Sequence, residues 1–176
     1  MKKIIVLLVS FLLLFFVYNT KAEENIIPDS AIRFRVIANS NTIYDQNIKL
    51  QVRNELQNKL LSLIGNSDSI ENTRNTILEH KEELYDLVSN KLKELNYDKS
   101  FTLDYGYNHF PEKNYKGISY KEGDYESLVI TLGSGEGDNF WCVLFPPLCM
   151  LEVEETNTSN VEYKFFIKEL IDKYIK

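Results

Sequence analysis

The stretch Tyr125–Cys149, YESLVITLGSGEGDNFWCVLFPPLC, decides the fold because it joins two apolar runs through a glycine-rich connection. Leu128, Ile130 and Leu132 alternate with their neighbours, which is the period of a β-strand. The second run begins at Phe140 and carries the protein's single Trp and both of its cysteines. Two successive strand-like runs predict that a sheet forms the centre of the domain.

The connection Gly133–Asp138, GSGEGD, is similar to a phosphate-binding loop in composition alone. It lacks the Lys-Ser/Thr pair of such loops and leads into a strand, where no helix N-terminus is available to hold an anion. Glu136 and Asp138 would also repel phosphate. We therefore predict a flexible hairpin connection and no nucleotide cofactor.

The two cysteines leave two alternatives open. If the chain turns back at Leu144–Pro147 as a hairpin, Cys142 faces Cys149 at a distance that a disulfide can bridge. Export of the protein would permit this oxidation. In the other alternative both thiols stay reduced and pack as small hydrophobic side chains. The paired prolines argue against a simple hairpin, so neither alternative is excluded.

The rest of the chain adds helices and strands. Ile32, Phe34 and Val36 alternate with Arg33 and Arg35, as in a half-buried strand. Apolar residues spaced three and four apart then predict amphipathic helices, and alternation returns in further strands. The predicted fold is α+β, a single domain with an antiparallel sheet packed with about three helices. The helices are predicted at Ile43–Ile64, Ile70–Leu95 and Val161–Lys176, and the further strands at Phe101–Phe110 and around Ile118–Tyr120.

The N-terminus has the pattern of a secretory signal peptide. Lys2 and Lys3 precede the apolar run Ile4–Val17, and Thr20 and Ala22 suit cleavage after Ala22. The run is short for a helix that must cross about 30 Å of hydrocarbon, although an uncleaved anchor is the alternative. We expect residues 1–22 to be the signal peptide, 23–31 a polar lead-in and 32–176 the domain.

The charge of the chain argues against some partners. The sequence has 20 Lys and Arg against 26 Asp and Glu, a formal charge of −6. Without residues 1–22 it has 17 basic residues against 26 acidic ones, a charge of −9. This excess opposes binding to nucleic acid or to anionic lipid surfaces. We expect no nucleic-acid partner and no small-molecule substrate.

Cys142 and His109 form the one pairing that could support catalysis, as in a secreted cysteine hydrolase acting on the cell envelope. That chemistry needs a thiolate, a base within hydrogen-bond reach and an orienting group. Nothing in the sequence beside Cys142 favours a thiolate. Two Cys and two scattered His also lack the spacing of zinc ligands. We predict that the protein is not an enzyme and has no catalytic residue, metal or cofactor, with the hydrolase as the alternative.

Three blocks of the sequence resemble the stage II sporulation protein R family. They are IRFRVIANSNTIYDQNIKLQVRNEL from Ile32, FPEKNY from Phe110 and GDYESLVITLGSGEGDNFWCVLFPPLC from Gly123, in the family's order. The departures are mild. Arg35 stands where a His is common, Asn41 where Asp is common and Phe140 where Trp is common.

The resemblance implies an exported signalling protein of endospore formation. Such a protein is made in the forespore and acts in the space between the forespore and mother-cell membranes. The resemblance further implies that it activates a membrane-embedded aspartic protease of the mother cell, which processes pro-sigma E. It implies no catalytic residues in this chain.

A protein that acts by contact needs a docking surface, and aromatic side chains supply most of the energy of such surfaces. Strand alternation places Phe140 and Cys142 on one face and Trp141 and Phe145 on the other. We expect the tip Phe145–Pro147 to be the most exposed part. The predicted partner-binding residues are Phe140, Trp141, Phe145, Pro146, Pro147, Leu148, Arg33 and Arg35, with Asn39–Asn41 as a further candidate.

Overall fold

The computed structural model describes residues 30–115 and 118–150. The α+β class is confirmed, and these residues form three helices, one sheet of four strands and one of two. The predicted signal peptide, the polar lead-in except for its last two residues, and the predicted helix at Val161–Lys176 lie outside the described residues. The elements are β1 (Ile32–Ile37), α1 (Ile43–Ile64), α2 (Ile70–Glu79), α3 (Lys81–Glu94), β2 (Phe101–Phe110), β3 (Lys113–Tyr115), β4 (Ile118–Tyr120), β5 (Gly123–Leu132), β6 (Asn139–Phe145) and a 3-10 helix (Leu148–Met150).

The large sheet has the strand order β2-β5-β1-β6. β2 and β6 run antiparallel to their neighbours, whereas β1 and β5 are parallel. The sheet is therefore mixed, and the predicted antiparallel sheet needs this correction. Alternation along a strand reports which side is buried and carries no information about the direction of the neighbouring strand. The long connection between β1 and β5 allows the parallel pairing.

Caps set the ends of the first two helices. The Thr42 hydroxyl accepts a hydrogen bond from the Asp45 amide at 3.2 Å, and the Ser69 hydroxyl accepts one from the Asn72 amide at 3.2 Å. Each cap satisfies one amide that has no partner inside its helix. The predicted helix Ile70–Leu95 is two helices, because His80 has non-helical dihedral angles. Apolar spacing does not report an interruption of one residue.

The helices cover one face of the large sheet, which we call the helix face. Its centre is Phe34 on β1, packed with Leu128 and Ile130 of β5 and with Leu56 and Leu60 of α1. All five side chains are fully buried. The opposite face carries the alternate residues of the same strands. The small β3–β4 hairpin packs against it through Tyr120, which contacts Trp141 on β6. We call this the hairpin face.

Candidate functional site

The hairpin face brings together two of the predicted partner-binding groups. β1 and β6 are antiparallel neighbours, and Arg35 lies directly opposite Trp141 in their register. Arg33 lies two residues away on the same face of β1. Residues that the sequence separates by about a hundred positions thus form one surface, because β6 returns along the free edge of β1.

Arg33 is buried on this face, with 2% of its surface exposed. Its guanidinium carbon lies 3.2 Å from the centroid of the Tyr125 ring and 5.4 Å from that of Phe110. Both rings are buried as well. A guanidinium is weakly hydrated and stacks well on aromatic rings, so it tolerates this position better than a Lys ammonium would. Arg33 is therefore part of the support beneath the surface.

Trp141 is the partly exposed aromatic residue above that support. Its ring lies edge-on to Tyr120 at 4.4 Å and to Phe110 at 6.4 Å between centroids. The ammonium of Lys113 lies 5.4 Å from the centre of the Trp141 ring. These contacts orient the indole while leaving part of it accessible. We call the whole group the cation–aromatic cluster: Arg33, Arg35, Phe110, Lys113, Tyr120, Tyr125 and Trp141.

Arg35 is held at the margin of this cluster. Its Nη1 donates a hydrogen bond to the His109 carbonyl oxygen at 3.3 Å. In the amide orientation that satisfies hydrogen bonding, Asn139 Oδ1 accepts from Arg35 Nη2 at 2.8 Å. Partial burial lowers the pKa of Arg35 from its ordinary value. A guanidinium that is already partly dehydrated loses less hydration when an acidic group of a partner approaches it.

The predicted exposed tip is wrong. Phe145, Pro146 and Pro147 are buried, and Phe145 retains 3% of its surface exposed. A register shift at the end of β1 pairs Ile32 with Phe145, while Arg33 pairs with Val143. The shift turns Phe145 into the core of the helix face, against the simple alternation. These three residues are buried and do not form the exposed tip that the sequence predicted.

Phe140 and Leu148, the remaining predicted anchors, lie apart from the cluster. Phe140 packs on the helix-face core, edge-on to Phe34 at 6.2 Å, with the Arg53 guanidinium carbon 4.8 Å from its ring centroid. Leu148 begins the 3-10 helix and is partly buried. Trp141, Arg33 and Arg35 are thus the predicted residues that the fold brings together.

A disulfide joins Cys142 to Cys149, with Cα atoms 5.5 Å apart. Of the two alternatives for the cysteines, the disulfide is the one present, and it forms without a hairpin, because β6 is followed by a 3-10 helix in place of a second strand. The disulfide ties that helix to β6, and the Gln57 side chain of α1 donates to the Cys149 carbonyl at 3.2 Å. A cysteine in a disulfide has no thiolate, so the alternative of a hydrolase with Cys142 as its nucleophile lacks that nucleophile in this structure.

Asn39–Asn41, the further candidate, is engaged within the chain. The glycine-rich loop after β5 is not the predicted hairpin connection, because β1 lies between β5 and β6 in the sheet. This loop meets the loop after β1, and we call this contact the loop junction. Asn39 Oδ1 accepts from the Ser134 amide at 3.0 Å, and Asn41 Oδ1 accepts from the Asp138 amide at 2.6 Å. Gly133 has a φ of 57°, and a Cβ at Gly137 would lie 2.4 Å from the Ser40 carbonyl oxygen. The glycines thus allow close contact between two loops.

Asp45 and Lys49 of α1 complete the loop junction. Asp45 Oδ2 accepts from the Ser40 hydroxyl at 2.5 Å and from Asn39 Nδ2 at 2.7 Å. These bonds, the one from Ser40 first, lower the pKa of Asp45. Lys49 Nζ donates to the Asp138 carbonyl at 3.1 Å, and burial lowers the pKa of Lys49. The loop junction holds together the ends of the two parallel strands, β1 and β5.

The described part of the chain offers no group of three or more His, Cys, Asp or Glu that could hold a metal ion. None of its described helices is both long enough and apolar enough to span a membrane. The hairpin face presents cations stacked on aromatic rings, with an indole at the surface.

Sequence reasoning did not identify Phe110, Lys113, Tyr120 and Tyr125 as members of the site. A signal existed for three of them, because Phe110 and Lys113 belong to the FPEKNY block and Tyr125 to the block from Gly123, both of which carry part of the resemblance. Tyr125 occupies a strand position whose partner across the sheet could not be read from the chain. These positions could be assigned to one site only when the pairing of the strands was known.

The fold and this surface define a class: a single α+β domain, closed by one disulfide, with a cation–aromatic cluster on one side of its sheet. The chain belongs to the stage II sporulation protein R family, because the sequence model of that family matches residues 28–155. It is therefore a protein of sporulation. The chain is 37% identical over 127 residues to the stage II sporulation protein R of Bacillus subtilis (strain 168).

That match covers 72% of this chain and 57% of the Bacillus subtilis protein. The chain thus spans a little more than half the length of this relative. No solved structure matches the chain.

Proposed function

We propose that the chain is an exported signalling protein of endospore formation, which activates a membrane-embedded aspartic protease of the mother cell. The protein is made in the forespore and acts in the space between the two membranes. The activated protease then processes pro-sigma E. The observation that carries the proposal is family membership over residues 28–155, which includes every element of the described fold.

The surface proposed for this contact is the accessible part of the cation–aromatic cluster. Arg35, Lys113 and Trp141 place two cations and an indole side by side in a protein whose overall charge is −6. Aromatic residues and Arg dominate the energy of protein interfaces. The chemistry fits a partner segment that presents an acidic side chain next to an apolar one.

Activation requires more than binding. A ligand shifts a conformational equilibrium by no more than the difference between its affinities for the two states. The cluster must therefore contact the active form of the protease better than the inactive form. A rigid surface suits this task, because its side chains are held in place before the partner arrives. Arg35 is held in this way by its bonds to the His109 carbonyl and to Asn139.

The deciding experiment is a reconstitution of precursor cleavage. The protease and pro-sigma E are placed in membranes with and without the exported form of this chain, and cleavage is followed over time. We expect cleavage to depend on the chain. Equal cleavage in its absence, in a preparation where the protease is active, would end the proposal.

Variants test the surface separately from the function. Arg35→Gln and Lys113→Gln remove the two outer cations while the buried support remains in place. Each is expected to raise the half-maximal concentration for cleavage by about tenfold, equal to about 1.4 kcal/mol. Lys93→Gln is the matched control, because Lys93 is exposed on α3 at the other side of the sheet. Full activity of both cluster variants would exclude this surface as the contact site. It would not contradict the proposal that the chain activates the protease.

A further inference from the structure

The two edges of the large sheet differ in the features that protect an edge from pairing. β6 has seven residues and a register shift against β1. β2 has ten residues in unbroken register with β5 and contains no Lys, Arg or Pro. A proline follows each strand directly, Pro146 after β6 and Pro111 after β2. Among the described residues, no strand pairs with the outer edge of β2. A long, regular edge without protecting cations or bulges is suited to pairing with another strand.

Gly106 stands in the interior of this edge strand, and no described residue of its own chain requires a glycine there. Its φ lies outside the left-handed region, and a Cβ there would come no closer than 4.0 Å to a neighbouring atom, Asp104 Oδ2. Glycine weakens a strand interior and often marks a place where another backbone approaches closely. The described residues around this position leave room for a larger side chain. The missing side chain therefore suggests an approach from outside the chain.

We propose that β2 pairs with β2 of a second copy of the chain, antiparallel, about a twofold axis that passes through Gly106. The two four-stranded sheets then continue as one sheet of eight strands across the dimer. A twofold axis makes the interface self-complementary, as is usual for homodimers. This inference does not rest on the proposed function.

The chemistry of the strand favours the second copy as the occupant. With Gly106 opposite its own counterpart, Tyr105 faces Tyr107, and Asp104 faces Asn108. No pair of like charges is opposed in this register. Asn108 Nδ2 already donates to Asp104 Oδ2 at 3.1 Å within one chain, so it suits an Asp104 carboxylate across the axis too. Tyr107 is 77% exposed and would be covered by the Tyr105 region of the partner copy.

The side of the edge that faces the helices adds apolar area. Tyr85 of α3 is 46% exposed and stacks on Phe101 with ring centroids 4.6 Å apart. In the register centred on Gly106, Phe101 stands opposite position 111 of the second copy. The Tyr85–Phe101 pair of each copy therefore lies at one end of the paired strands, where it can be covered by the end of the other β2.

The first test is the mass of the protein in solution. The chain as released by a secreting host is examined by sedimentation equilibrium, with Gly106→Lys beside Asn90→Lys, an exposed position on α3. We expect a dimer for the wild type and for Asn90→Lys. Gly106→Lys should raise the dimer dissociation constant at least tenfold while circular dichroism shows a folded domain. A monomeric wild type, or a Gly106→Lys variant that dimerises as tightly as the wild type, overturns the proposal.

The second test examines the register and does not depend on a loss of pairing. In the proposed dimer Gly106→Cys brings two cysteines opposite each other, at a distance that a disulfide can bridge. Mild oxidation is expected to give a covalent dimer for Gly106→Cys and none for Asn90→Cys. Absence of the covalent dimer in a sample that sediments as a dimer would contradict the twofold pairing at Gly106.

Discussion

The two faces of β1 carry opposite chemistry in adjacent residues. On the helix face, Phe34 is fully buried among aliphatic side chains. On the hairpin face, Arg33 and Arg35 lie with Phe110 and Trp141 in the cation–aromatic cluster. The helix face is filled mainly by apolar residues that exclude water. The hairpin face uses aromatic rings to hold cations, so one side of the sheet supplies stability and the other presents a surface.

The largest expected effect separates these faces within a single strand. Phe34→Ala removes a fully buried ring and should lower the free energy of unfolding by about 3–5 kcal/mol. Arg35→Ala, its neighbour on the other face, loses a hydrogen bond and a cation–π contact and should cost about 1 kcal/mol. Denaturant unfolding of both variants gives the two values. Similar losses would mean that the hairpin face stabilises the fold as much as the helix face does.

An ion pair on the helix face gives the next largest effect. Arg74 of α2 donates to Glu126 of β5 at 2.6 Å and 2.9 Å, and Tyr105 donates to the same carboxylate at 2.7 Å. The Arg74 bond is the main cause of the lowered pKa of Glu126. Arg74→Ala leaves a buried carboxylate with less compensation and should cost about 2–3 kcal/mol in denaturant unfolding at neutral pH.

Glu71→Ala is the matched control for that prediction. Glu71 is the exposed ion-pair partner of the same Arg74 side chain. Its loss should cost less than about 1 kcal/mol, as for other surface ion pairs. If both variants lost the same amount, burial of Glu126 would not be the cause of the effect.

The loop junction predicts how acid acts on the protein. The folded-state pKa of Asp45 is lowered, so its stabilisation is complete above the unfolded value of about 3.9 and is lost as pH falls through the folded value. Asp45→Asn should cost about 1–3 kcal/mol at pH 7. The difference from the wild type should shrink below about pH 4.

Denaturant unfolding at a series of pH values measures this difference. Asp98→Asn controls at pH 7 for the loss of one negative charge, because Asp98 is exposed and outside the junction. A difference between Asp45→Asn and the wild type that stayed constant from pH 7 to about pH 2 would contradict the role of the Asp45 charge.

The smallest effect is expected at Tyr97, a polar exception in the helix-face core. Within the described residues its buried hydroxyl has no hydrogen-bond partner. Burial first, and Asp45 second, raise the pKa of Tyr97 to about 12. Tyr97→Phe keeps the ring that stacks on Tyr44 and should change the free energy of unfolding by less than about 1 kcal/mol. A loss of more than about 2 kcal/mol in thermal or denaturant unfolding would indicate a hydrogen bond to this hydroxyl.

Local patterns predicted the elements well, for physical reasons that act between near neighbours. Alternation in Phe101–Phe110 and spacing in Ile43–Ile64 gave the bounds that the structure shows. Thr42, which directly precedes the predicted helix Ile43–Ile64, caps α1. These features depend on contacts within a few residues. The interruption at His80 was missed, because the apolar positions on either side keep a helical spacing across it.

The candidate site was predicted in part. The wrong predictions concern features that depend on how the strands pair, which the sequence does not show. Trp141 and Arg35 were named separately, and their contact depends on the return of β6 beside β1. Phe145 was expected at an exposed tip, but a register shift of one residue turned it into the core. Alternation predicts sides correctly until a shift occurs, and then every later side chain changes face.

By itself the sequence determined most of the described secondary structure, the α+β class and the family, because periodicity, caps and the three blocks are properties of consecutive residues. The tertiary structure alone decided which strands are neighbours and that one pair is parallel. It also decided that Arg33, Phe110, Tyr125 and Trp141 share a face. Those facts depend on contacts between residues up to about a hundred positions apart, which are settled by the burial of the whole sheet and not by any local stretch.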